Sequence, residues 1–391
     1  MRASLALALC GLLTLPAGLS AAATSPGPKA PADSHVRRAA VTSRVSTALG
    51  ASGELRGVAL NDFGRNGRTF ALDVLDFPRL SREGVNTVAV YIYLDLASPT
   101  SNDVATGIDT PTDQELQLVT SQAKSNGLNV TFMPVLLNRA NTGVWRGGFV
   151  PSDINAFFRS YTTAVTKYAS MAQQLGVSLF YVGSENFYIE KHTAQWAGVI
   201  SAVRQQFSGA LSYMAVPRGA THLKFWSLLD LAAIAPYYSL GEDRLPTYDR
   251  MMAAWREVNV PSIHAIARYA KKPVIFGEIG YRSHPGAYTN PGEGGNNFAA
   301  PAPQVQADAH RAMLDSLASM RDVYGVTLWR WQPASTPVDS DYSIAGKPAE
   351  CVMASKWSSD PTVQQDVTLP VCDLSVLDQV SGTLPLLPGG T

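Results

Sequence analysis

Eight short apolar segments recur along this chain, and segments with helical periodicity separate them. They are LRGVAL (55–60), VNTVAVYIYL (85–94), LNVTFMPVLL (128–137), VSLFYVG (177–183), ALSYMAV (210–216), LAAIAPYY (231–238), PVIFGEIG (273–280) and VTLWRW (326–331). Most are continuous runs rather than apolar–polar alternations, the pattern of parallel strands covered on both faces. Parallel neighbours must be joined by a crossover, usually helical, and the intervening segments supply one. The clearest covers 152–175, where Ile154, Phe157, Phe158, Tyr161, Val165, Tyr168, Ala172 and Leu175 form one stripe. Ser152 or Asp153 can cap its first turn, and Gly176 stops it. Further stripes run through Trp196, Val199, Ile200, Val203 and Phe207, and through Val305, Ala309, Met313, Leu317 and Met320. Strands alternating with helices argue for βαβ units. Eight of them close into a (β/α)8 TIM barrel, the α/β class predicted here, and the span 55–333 is near the ~250 residues such a barrel takes. An open doubly wound sheet is disfavoured because no Gly-rich dinucleotide fingerprint follows the first strand.

The ends read differently. Arg2, the apolar stretch Leu5 to Leu15 and the small residues Ser20 to Ala23 compose an export signal over 1–23, so a secreted protein is expected. Leu9 before Cys10 is too large for a lipoprotein cleavage box, which sets a lipid anchor aside. Residues 24–53 are expected to be a disordered linker, 54–357 the barrel domain and 358–391 a C-terminal extension. Cys351 and Cys372 remain after the signal, and in an oxidising compartment they can form a disulfide. No later run approaches the ~20 apolar residues of a membrane span. With 31 basic and 31 acidic residues the chain has no net charge and no basic stripe, so nucleic acid is not an expected partner. A monomer acting on a neutral polysaccharide or oligosaccharide suits this balance.

In such a barrel the C-terminal strand ends converge on one mouth, where active sites form. Glu185 closes the fourth apolar run and Glu278 lies in the seventh, each preceded by small residues. Strands four and seven face each other across a mouth, so the two carboxylates can flank a sugar. Retaining hydrolysis of a glycosidic bond needs such a pair, one protonating the leaving oxygen and the other attacking the anomeric carbon. Their environments must differ, since one works protonated and the other ionised. The six histidines show no metal-binding spacing, and neither a GxSxG elbow nor a Walker loop occurs, so no metal or cofactor is expected.

Beyond this pair, GVWRGGF (143–149), LFYVGSE (179–185), AQWAGVISAVRQQFSGALSYMA (194–215), FWSLLDLAAIAPYYSL (225–240), KKPVIFGEIGYRS (271–283), GVTLWRW (325–331) and DYSIAGKPAE (341–350) together resemble glycoside hydrolase family 113. The similarity runs in order through most of 55–357. It implies Glu185 as acid/base, Glu278 as nucleophile, and an endo-β-mannanase-like hydrolase of β-linked mannan or manno-oligosaccharides, with endo versus exo cleavage left open. The wider clan of retaining barrel hydrolases carries Asn before the acid/base to bind the sugar 2-hydroxyl. Here Ser184 holds that place and Asn186 follows, and which of them meets the 2-hydroxyl is open. Tyr237, after strand six, is expected to hydrogen-bond the nucleophile. Trp331 is expected beneath the central sugar, with Trp329 of the same parity as the other candidate. Trp145 and Arg146 are expected to line the cleft, and Asn61 and Asp62 are weaker candidates. The loop 283–303 either walls the cleft or lacks fixed structure. Another β-glycan or exopolysaccharide, or a binding barrel without catalysis, is the alternative function.

Overall fold

A computed structural model describes residues 42–60, 70–140, 143–242, 247–292, 300–333, 339–360 and 362–363, all within one compact unit, Arg38–Thr391. Asn61, Asp62, Cys372, the apolar N-terminal segment and part of the 283–303 loop lie outside the described residues. Strands β1 (Leu55–Leu60), β2 (Thr87–Leu96), β3 (Asn129–Asn138), β4 (Leu179–Ser184), β5 (Ala210–Ala215), β6 (Ala232–Ile234), β7 (Val274–Ile279) and β8 (Val323–Trp331) pair in sequence order into a closed parallel barrel. Two strands depart from their predicted bounds by three residues or more, the others by at most two. β6 is cut to three residues, because Pro236 just beyond it has no N–H for a ladder. β8 starts three residues before its predicted Val326. Gly325 in this extension adopts φ 127° and lies where any Cβ would strike the Leu55 carbonyl oxygen at 2.0 Å.

The helices are α1 (Ser43–Leu49), α2 (Phe77–Arg82), α3 (Asp113–Ser125), α4 (Ile154–Leu175), α5 (Thr193–Gln206), α6 (Pro217–Ala220), α7 (Tyr248–Ala254), α8 (Val260–Ala270), α9 (Pro303–Leu317) and α10 (Pro348–Trp357). Asp153 caps α4 by accepting the N–H groups of Asn155 and Ala156, and Gly176 ends it in the left-handed region at φ 66°. Thr112 and Glu115 form a reciprocal capping box on α3.

Alternation along each strand divides the apolar side chains into two cores. Ala59, Tyr91, Met133, Val135, Tyr181, Met214, Ala233 and Ile275 fill the barrel interior. Val58, Val90, Phe132, Phe180, Leu211, Ile234 and Phe276 point outward and meet Phe157, Tyr161, Val165, Trp196 and Val203 of the surrounding helices. The interior core continues into α1, whose Val45, Ala48 and Leu49 are buried with Leu55 and Tyr324 at the N-terminal end of the barrel. Arg44 beside them donates to the Ser208 carbonyl at 2.9 Å. This corrects the expected linker over 24–53: its last part is a packed helix capped by Thr42. The polar composition of 24–53 hid three apolar positions at helical spacing.

Strict alternation breaks at three places on the mouth side. Tyr181–Ser184 of β4 lie opposite Ser212–Met214 of β5, Phe276–Ile279 of β7 opposite Val326–Leu328 of β8, and Leu328–Trp331 of β8 opposite Val58–Leu60 of β1. Each places an extra residue against a shorter partner stretch, a β-bulge that re-aims the side chains around it. All three flank candidate site residues. At the C-terminal end α10 packs against α9, Cys351 within it is disulfide-bonded, and Ser358 Oγ donates to the Arg82 carbonyl at 2.8 Å. No helix among the described residues is long and apolar enough to cross a membrane.

Candidate active site

Glu278 sits in the β7 bulge. Phe276 and Ile279 both belong to the outer core although three positions apart, so the intervening pair absorbs the extra residue and Glu278 turns to the mouth. Gly277 beside it must be small, because a Cβ there would lie 3.1–3.2 Å from Ala233 Cβ, Met214 Sδ and the Tyr181 hydroxyl. That crowding is the physical origin of the small residue before the carboxylate. Glu278 is buried, and both its oxygens accept phenolic hydrogen bonds. Tyr91 donates to Oε2 at 2.6 Å and Tyr237 to Oε1 at 2.8 Å. Burial, then the negative charge of Glu185, lifts the Glu278 carboxyl to about 7, against the opposing pull of Arg146 and the two phenols.

Glu185 follows β4 and is likewise buried. Its φ of 54° lies in the left-handed region, uncommon for a residue with a side chain. The conformation is held from β5, since Glu185 N–H donates to the Met214 carbonyl at 2.7 Å. Arg146 Nη1 donates to Glu185 Oε2 in an ion pair across the mouth. Burial weakens the Arg146 charge, but Glu185 and Glu278 outweigh it and hold the guanidinium protonated above its usual range. The carboxylates thus differ in kind: Glu278 is bound by neutral phenols on both oxygens, and Glu185 by a cation.

The other predicted residues divide. Trp329 packs against the inner core, with its ring 4.9 Å from that of Tyr91, so it lies beside the phenol that holds Glu278. Trp331 does not join this group. It is fully buried in the outer core, with Nε1 donating to Asp76 Oδ2 at 3.0 Å and Arg79 over its ring at 4.8 Å. The β8 bulge separates the two indoles, and a cis peptide joins Trp329 to Arg330. Trp145, adjacent to Arg146, is 41% exposed, with its ring lying over Gly147. Ser184 and Asn186 are buried on either side of Glu185, and Ser184 Oγ and Asn186 Oδ1 have no hydrogen-bond partner among the described residues. In the 283–303 loop, Ala287 and Tyr288 are buried, the Tyr288 carbonyl accepts the Leu240 N–H at 2.8 Å, and Gly292 lies against Tyr237. This part of the loop therefore packs as a wall behind Tyr237.

Tyr91 was missed by the sequence reading, and Tyr93 and Tyr181 share its surroundings: burial first, with the Glu278 charge adding, raises their hydroxyl pKa values. Their signal was present as phenols at inward positions of otherwise aliphatic strands. A separate cavity of about 530 Å³ lies at the opposite end of the barrel, where Lys356 pairs with Asp315 and Arg56 donates to the Trp357 carbonyl.

Comparison with known proteins agrees with this geometry. The sequence model of glycoside hydrolase family 113 matches residues 72–347, well over half of the chain. No curated protein matches it. A family 113 β-mannanase from Alicyclobacillus acidocaldarius, solved in complex with ManMIm, is 27% identical over 78% of this chain and 98% of its own, with a TM-score of 0.69. A complex of a family 113 β-1,4-mannanase is 26% identical over 78% of this chain and 99% of its own, with a TM-score of 0.68. A β-D-glucuronidase from Dictyoglomus thermophilum, 14% identical over 79% of this chain and 51% of its own at a TM-score of 0.55, shares the fold alone. With the family model spanning the barrel from α2 to its last loop, this chain belongs to glycoside hydrolase family 113 and is a glycoside hydrolase.

Proposed function

We propose that the protein is a secreted β-1,4-mannanase that hydrolyses its substrate with retention by double displacement. The carrying observation is that the two strand-end glutamates are buried together at the mouth, with Glu278 oriented by two phenols and near enough to Glu185 for its charge to act on it. Glu278 attacks the anomeric carbon, the glycosidic C–O bond breaks, and Glu185 gives its proton to the departing oxygen. Glu185 then takes a proton from water, whose oxygen attacks the same carbon and releases Glu278. Tyr91 and Tyr237 keep the nucleophile oriented throughout, and Trp329 and Trp145 offer apolar faces to pyranose rings. Mannan as substrate is supported by family membership and by two β-mannanase neighbours. Export is supported by the apolar N-terminal segment and by a disulfide at Cys351.

The test is chemical. Incubation with an activated 2-fluoro mannoside should leave a covalent sugar on Glu278, located by peptide mass spectrometry, and Glu278→Ala should abolish turnover even on dinitrophenyl glycosides. A label on another residue would overturn the assignment. Reducing-sugar release across a panel of mannan, glucan and galactan should be greatest on mannan.

A further inference from the structure

Glu190 is a buried carboxylate with no part in the mechanism above. It follows the turn Phe187–Ile189 after β4 and lies only five residues beyond Glu185. Burying a carboxylate is costly, and burial lifts Glu190 to about 7, with the charge of Glu185 adding and the Tyr213 hydrogen bond opposing. Its surroundings show what it holds. Tyr213, fully buried on β5, donates its hydroxyl proton to Glu190 Oε1 at 2.9 Å, and the Tyr213 hydroxyl oxygen accepts the backbone N–H of Asn186 at 2.9 Å. A phenol has one proton to give. With that proton committed to Glu190, the oxygen lone pairs are turned to the peptide joining Glu185 to Asn186. The preceding peptide is held by Met214, next to Tyr213 on β5. The Asn186 carbonyl in turn accepts from Ile189 and Glu190 N–H at 3.0 and 3.1 Å. Both peptides flanking the Glu185 Cα are therefore anchored where its backbone is left-handed.

We propose that Glu190, acting through the Tyr213 hydroxyl, is a positioning residue that fixes the peptide carrying Glu185 so that the acid/base carboxyl reaches the leaving oxygen. The inference rests on Glu185 being the acid/base. Loss of positioning has a signature that general destabilisation lacks: it is felt where the leaving group needs a proton and not where the leaving group departs unaided. The test compares the glycosylation step on manno-oligosaccharides with the dinitrophenol burst from a dinitrophenyl β-mannoside, in the wild type, Glu190→Leu, Glu190→Gln, Tyr213→Phe and Glu185→Ala. Tyr213→Phe keeps the ring and its packing, so it serves if Glu190→Leu fails to fold. General acid assistance is worth about 10²–10⁴-fold. Glu190→Leu and Tyr213→Phe should lose about 10- to 100-fold of it on the oligosaccharide, with unchanged KM and a burst within about 3-fold of wild type. Glu190→Gln, which can still accept from Tyr213, should regain most of the loss. Equal losses on both substrates, or none, while Glu185→Ala shows the leaving-group dependence, would overturn the positioning role alone. No such dependence in Glu185→Ala would overturn the acid/base assignment beneath it.

Discussion

The environment of Glu278, the nucleophile in the proposed mechanism, carries a pH prediction. A buried carboxylate resists ionisation, and Glu278 is lifted to about 7 by burial and by Glu185, with Arg146, Tyr91 and Tyr237 pulling it down. Since attack requires the ionised form, kcat/KM should fall as pH drops through that value. Tyr237→Phe deletes a hydrogen bond to the charged form, so the proton is held more tightly and the acid limb should move to higher pH. A hydrogen bond to a charge contributes roughly 1.5 kcal/mol, a shift of about one pH unit. The pH profile of kcat/KM for the variant and wild type measures it, and coincident acid limbs would mean that Glu278 does not set the limb. Both carboxylates and Tyr237 were legible in the sequence, because each follows an apolar run that ends at the mouth. Tyr91 was not, since a phenol within VAVYIYL reads as ordinary strand filling until the register brings it to β7.

At the scale of elements, the bulges decide more than the strands do. Period-two alternation gives Trp329 and Trp331 the same face, yet three positions of β8 run beside two of β1 and the indoles end on opposite sides. The same device turns Glu278 inward. A bulge is set by the strand opposite, so no local pattern announces it. Helix α1 shows the complementary failure, in which a short amphipathic segment is masked by a polar neighbourhood. Val45 and Leu49 are 1% exposed, and burial of each is worth about 1.5–3 kcal/mol. Deleting residues through Leu49 should therefore lower the unfolding free energy by about 3–6 kcal/mol, read from urea denaturation. Because the helix lies opposite the mouth, kcat of the molecules that remain folded should stay near that of the wild type. An unchanged urea midpoint would show that α1 does not stabilise the barrel.

Across the whole molecule, two segments far apart in the sequence meet at a buried acidic pair. Glu83, closing α2, shares a hydrogen bond with Glu350 of α10, where Arg79 lies 3.4 Å from Glu350 Oε1. Burial, then the Glu350 charge and the shared bond, raises Glu83 from 4.5 to about 9. The folded state thus binds this proton over a range where the unfolded chain has released it, so stability should decline as pH rises from about 4.5 to 9. Glu83→Gln removes the ionisation and keeps the shape. Its Tm should exceed that of the wild type above about pH 8, and the gap should narrow toward pH 5. Parallel Tm curves for the two proteins would exclude the pair as the cause. The eight-fold repeat, the helix stripes with their caps at Asp153 and Gly176, and the two strand-end glutamates were determined by the sequence alone, because periodicity and capping act between residues close in the chain. Closure of β8 on β1, the facing of Trp329, the phenols on Glu278, the Glu83–Glu350 pair and the Tyr213 bridge behind Glu185 were decided only by the tertiary structure. Each joins residues far apart or on different strands, and their meeting depends on barrel register and on bulges that a one-dimensional pattern does not encode.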